Sequence, residues 1–147
     1  MFTKILKFTI LFIFLAGYAG ADDIVFAKKQ LQIISKDGIK HNFNVEIADD
    51  PRKQGHGLMF RKSIPENQGM LFLFGTETEM SMWMKNTYIP LDMVFIKHGG
   101  IIGKIVAGTT PLSTEHIISE GKVEAVLELN AGTCNKLNIK ENDRVVF

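Results

Sequence analysis

The chain has 147 residues, and 17 Lys and Arg against 16 Asp and Glu give it a formal charge of +1 with neutral histidines. That near-balance argues against a dominant basic footprint of the kind nucleic-acid binders use, although it leaves local patches open. Cys134 is the single cysteine, which excludes an intramolecular disulfide, so packing alone has to hold the fold.

The first 21 residues read as a secretory signal peptide. Lys4 and Lys7 make a positive start, residues 8–17 form a short apolar run, and Ala19-Gly20-Ala21 supplies the small-x-small cleavage pattern. The run is about half the roughly 20 apolar residues that a spanning helix needs. Cleavage before Asp22 leaves about 126 residues with 15 basic and 16 acidic side chains, because the leader carries two lysines and no acids. The expectation is a periplasmic or secreted protein, a single domain over residues 22–147, with no membrane span once the leader is gone. An uncleaved anchor is the alternative reading of the leader.

Beyond the leader the chain reads as mainly β. Ile39, His41, Phe43, Val45 and Ile47 alternate with polar residues, the period of two that marks a half-buried strand. Asp37-Gly38 joins this run to 31–35 and suits a tight hairpin turn, which predicts antiparallel pairing. His41 falls on the apolar face, where a hydrogen-bonded core histidine is the expected role. Asp50 is placed to cap a helix, Pro51 fits its first position, and Gly55 and Gly57 limit it to about two turns. Residues 70–74 form a continuous apolar run, as in a strand covered on both faces, and 80–84 read as a further strand. Pro90 predicts an irregular crossing over 86–91. Runs 93–96 and 101–106 flank Gly99-Gly100, a second hairpin signal, and 124–129 is another strand. A helical turn or two over 131–137 holds Cys134 as a small buried hydrophobe. Glu141-Asn142-Asp143 then turns the chain into a last strand, 144–147. The sum, about eight short strands with one or two short helices, predicts a compact β-sandwich or partly open barrel. Residues 109–121 are the longest irregular stretch, read as a polar surface loop suited to act as a lid.

Three words stand out because they set polar side chains directly against large apolar ones. They are Gly57-Leu58-Met59 with Arg61, Gly69-Met70-Leu71-Phe72, and Trp83-Met84-Lys85-Asn86-Thr87 followed by Ile89-Pro90-Leu91-Asp92. Val126-Leu127-Glu128-Leu129 with Ala131-Gly132 closes the set. Together they resemble the signature of the domain of unknown function 192 family of bacterial and archaeal proteins. The resemblance runs from about Asn44 to the C-terminus and implies no settled activity. Gln54 stands where the family often has Arg, which puts any role of that Arg in doubt here. Asn142-Asp143 replaces the usual Gly-Asp of the final turn, a mild change because Asn tolerates the left-handed conformation.

The candidate ligand-binding residues are Arg61, Trp83, Lys85, Asn86, Thr87 and Asp92. Trp offers a flat apolar face, and Arg, Asn and Asp offer directional hydrogen bonds, a combination suited to a small polar ligand or a cell-envelope glycan. A structural reading of the same residues has Lys85 or Arg61 paired with Asp92, and Asn86 and Thr87 bonded to the irregular backbone near Pro90. An enzymatic alternative makes Asp92 a general base, with Glu128 as a second carboxylate. The four histidines show no zinc spacing, no serine sits in a nucleophile elbow, and no phosphate loop is present. The reading therefore assigns no catalytic residue, no metal and no cofactor. Its metal alternative is Cu(I) on the alternating thioethers of Met80, Met82 and Met84. The leading expectation is a non-catalytic exported module that binds a polar ligand or an envelope component.

Overall fold

The computed structural model describes residues 23–147, so the leader and its cleavage site lie outside the described residues. Seven strands are present: β1 Lys28–Ile34, β2 Lys40–Ala48, β3 Gln68–Met82, β4 Leu91–Lys97, β5 Ile101–Val106, β6 Ile117–Asn130 and β7 Arg144–Val146. Two short helices, α1 Pro51–His56 and α2 Thr133–Lys136, complete the elements with a single 3-10 turn at His98–Gly100. The strands close into one barrel in the order β1-β2-β3-β6-β4-β5-β7, and β7 returns to β1. The chain is thus mainly β, and of the two expected architectures it adopts the barrel.

The local expectations explain most of this. The β1–β2 hairpin forms with Leu31 opposite Phe43 and Ile33 opposite His41. Asp50 caps α1, its Oδ1 accepting from Lys53 N at 2.8 Å, and Pro51 opens the helix. The count of about eight strands is corrected to seven. The runs at 70–74 and 80–82 belong to one strand, β3, which bends through register shifts against β6 instead of breaking, and residues 83–84, expected to continue the strand, open the irregular segment. The lid expected over 109–121 is also corrected, because β6 begins at Ile117. Glu120-Gly121, which looks like a turn, is a positive-φ bulge inside that strand.

Two apolar clusters result. One takes residues from all seven strands, among them Leu31, Phe43, Leu71, Val94, Ile102, Leu127 and Val145, and fills the barrel. The other lies on the outer face of β3, β6 and β4, where Met70, Phe72, Val126, Met93 and Phe95 are covered by Leu58, Met84 and Ile89. The cover comes from the turn after α1 and from the irregular segment 83–90. Gly69 permits the tight fit of β3 on β6, since a Cβ there would stand 2.3 Å from the Glu128 carbonyl oxygen.

Candidate functional site

Strand alternation decides which side chains reach the outer face. On β6, Ala125, Leu127 and Leu129 point into the barrel, so Val126 and Glu128 point outward. Glu128 is set between Met70 of β3 and Met93 of β4, both fully buried. A cleft of ≈ 140 Å³ opens here between β3 and the cover. Glu128 and Phe72 line it from the sheet, Met80 and Met82 from the far end of β3, and His56 with residues 57–59 from the end of α1 and the turn after it. Trp83 and Lys85 also line it, and both are exposed.

Glu128 is only 4% exposed and makes no side-chain hydrogen bond to any described residue. No fully sealed side-chain nitrogen or oxygen lacks a partner among the described residues, so the unpaired carboxyl is open to the cleft. Burial pushes its pKa up to about 8, because an ion in an apolar surround loses hydration that nothing replaces. At neutral pH the group is mainly a neutral acid, able both to donate and to accept a hydrogen bond. Gln54, at the position where an Arg was expected from the resemblance, lines the same cleft. Its amide donates to the Leu73 carbonyl at 2.6 Å, so it brings no cation to Glu128.

The six residues singled out by sequence divide into three groups. Trp83, Lys85 and Thr87 line the cleft. Trp83 is 43% exposed; the Lys85 ammonium lies 5.1 Å from its ring centroid, and the His116 ring stacks on it at 6.4 Å. Thr87 is buried, its hydroxyl donating to the Lys85 carbonyl at 3.3 Å. Asn86 and Arg61 do not line it. Asn86 takes a left-handed conformation, its carbonyl accepts from Phe60 N at 2.9 Å, and its amide reaches the Met59 sulfur at 3.9 Å, which holds the cleft wall. Arg61 makes a two-pronged ion pair with Glu46 of β2 and lies over the Phe26 ring.

Asp92 belongs to neither group. Its neighbours Leu91 and Met93 face outward, so Asp92 faces the barrel side and is 0% exposed. Its two oxygens accept from the backbone amides of Gly108 at 2.9 Å, Gly132 at 3.1 Å and Cys134 at 2.9 Å. It ties the β5–β6 connection and the start of α2 to β4. The general-base alternative fails on this geometry, because the carboxylate is spent on the backbone and is turned away from the cleft. The expected pairing of Asp92 with Lys85 or Arg61 does not occur either. Cys134, beside it, has its thiol pushed up to about 12 by burial and by the Asp92 charge and hydrogen bond.

The methionine triplet is also broken. Met80 and Met82 line the cleft, whereas Met84 is buried in the cover, its sulfur 3.1 Å from a Thr109 hydroxyl that also donates to the Leu91 carbonyl at 3.1 Å. Glu128 and His56 were not among the site residues read from sequence. A signal for Glu128 was present, since it is the one charged residue in a run apolar at both parities from Ala125 to Leu129. A wider groove of ≈ 720 Å³ lies between β2 and α2. Its Asn130 amide is bonded to the Ile64 carbonyl at 3.0 Å, and its Lys136 is paired with Glu66 at 3.2 Å.

A family model described as "Uncharacterized ACR" and covering domain of unknown function 192 matches residues 23–147. The chain belongs to the domain of unknown function 192 family. A crystal structure from Sinorhizobium meliloti 1021, described as a candidate transcription regulator, is 42% identical with a TM-score of 0.83, covering 84% of this chain and 96% of that one. A protein of unknown function from Novosphingobium aromaticivorans DSM 12444 is 32% identical with a TM-score of 0.79, covering 82% of this chain and 85% of that one. No curated protein matches. Among the described residues, no helix is long and apolar enough to cross a membrane.

Proposed function

We propose that this member of the domain of unknown function 192 family is an exported, non-catalytic module that holds a small polar ligand in the cleft above Glu128. The carrying observation is the Glu128 carboxyl, buried among thioethers and aromatic rings without a protein partner. Such a group, reached only from the cleft, gains from a ligand hydroxyl or amide that hydrogen-bonds to it in place of water. Trp83 beside the cleft supplies an apolar face, and Lys85 can leave that face to meet a ligand acceptor. One sugar ring of a cell-envelope glycan has the matching chemistry: hydroxyls for Glu128 and a C–H face for the indole. The periplasmic location rests on the basic, apolar and small-residue pattern of the leader. The regulator description of the Sinorhizobium relative is not carried over, because the near-zero formal charge favours no nucleic-acid partner.

The test is saturation-transfer NMR with a panel of neutral mono- and disaccharides, including N-acetylated ones, on wild type, Glu128→Leu and Trp83→Ala. Binding that falls at least about tenfold in both variants supports the cleft, matching the loss of one buried hydrogen bond or one stacking face. Binding that is unchanged in Glu128→Leu, or absent across the panel in wild type, rejects the reading.

A further inference from the structure

The wall of the cleft carries a second set of groups that a polar ligand does not use. Met80 and Met82 lie two residues apart on β3, while His56 and Met59 come from the end of α1 and the turn after it. We propose that the thioethers of Met59, Met80 and Met82, with the His56 imidazole, form a binding site for Cu(I).

The donor chemistry selects the ion. Thioethers are soft and uncharged and favour Cu(I), and an imidazole is a common companion ligand. Among the described residues no three His, Cys, Asp or Glu side chains gather, so these positions offer no cluster of the usual zinc donors. Strand alternation sends Met80 and Met82 to one side, about 7 Å apart along the strand. Unbranched side chains with three rotatable bonds can bring two sulfurs to one centre from that spacing. The backbone at Met80 is fixed where β3 shifts register, its N–H donating to the Ser119 hydroxyl at 3.0 Å. On the opposite wall the Met59 N–H donates to the His56 carbonyl at 3.1 Å, which holds the two residues in one turn. Asn86 steadies the Met59 sulfur at 3.9 Å. The His56 ring makes no hydrogen bond to a described residue, and the rings of Phe26 and Phe60 lie beside it with centroids at 6.4 and 6.1 Å. A ring nitrogen is therefore available.

The other buried methionines show the contrast. Met70, Met84 and Met93 are sealed, whereas Met59, Met80 and Met82 are partly exposed. Trp83 adjoins Met82 and lines the same cleft, where an indole face can cover a soft cation. As the only tryptophan it also reports on the site.

The inference shares the cleft and Trp83 with the polar-ligand reading but uses neither Glu128 nor any sugar chemistry. Its test is anaerobic titration of the purified protein with Cu(I) against the chromophoric chelator bicinchoninate, with Trp83 fluorescence followed in parallel. The expected result is one Cu(I) withdrawn per chain with quenching of the indole. Even residues that only support a metal ligand affect affinity about 10–100-fold, so Met80→Leu/Met82→Leu should weaken binding by more than that. Met59→Leu and His56→Gln, on the other wall, should each weaken it at least about tenfold. Glu128→Leu should still form the one-to-one Cu(I) complex while saccharide binding falls at least about tenfold, so the two proposals fail separately. Wild type that takes no Cu(I) from the chelator overturns the site. So does a folded Met80→Leu/Met82→Leu protein, or a folded Met59→Leu protein, that binds as wild type does.

Discussion

Two carboxylates buried in the same sheet meet opposite fates. Asp92 receives three backbone amides and so acts as a fixed tie between β4, the β5–β6 connection and α2. Glu128, on the other face, receives none, and its proton carries the consequence. An unfolded Glu releases that proton near 4.5, whereas the folded group keeps it up to about 8. Between those values the folded chain binds more protons than the unfolded one, so stability falls as pH rises and levels off above the folded value. The full shift corresponds to at most about 5 kcal/mol. Urea unfolding across pH 4–9 should show that decline in wild type and a flatter profile in Glu128→Gln. A wild-type midpoint that does not fall over this window would mean the carboxyl is ionised in the folded chain. Sequence reading recognised Asp92 as a polar residue in apolar company, yet its partners lie 16, 40 and 42 positions away and no local pattern reveals them. Glu128 reads from the sequence only as a second carboxylate behind Asp92, because a strand residue is so often solvent-facing and the face it takes is set by strands remote in sequence.

Elements with a strong local signature were legible: the Asp-Gly hairpin, the capped helix after Asp50, the irregular crossing at Pro90 and the final turn. The departures fall on β3 and β6. These strands are longer than their apolar runs because bulges carry them through polar stretches. A bulge at Glu120-Gly121 uses the residues that would make a turn elsewhere, and only the partner strand distinguishes the two. The same pair of strands depends on Gly69. Gly69→Ala would drive a Cβ to 2.3 Å from the Glu128 carbonyl oxygen, so β6 has to retreat. The expected cost is about 2 kcal/mol or more, as for overpacking in a close-fitted interior. A urea midpoint shift accompanied by weaker saccharide binding would show that the β3–β6 contact sets both the sheet and the site. An unchanged midpoint would show that the strands have room to spare.

At the scale of the molecule, alternation and turn signals indicated a mainly β fold but not how the ring closes. The parallel pairing of β2 with β3 and the return of β7 to β1 are long-range choices that a period of two leaves open. Closure is narrow. The three residues of β7 pair with Gln32, Ile33 and Ile34 on one side and with Ile101 on the other. Deleting residues 144–147 should therefore open the barrel, expose Ile33 and remove the single sharp unfolding transition. Retention of that transition in thermal unfolding would mean the ring holds without its last strand.

The seam between β1 and β7 also imposes an order on folding. It joins the first and the last of the seven strands, bringing Ile34 against Arg144, and contacts between positions so remote in sequence are the slowest to form. Until the seam closes, both strands present unpaired edges that another chain can match.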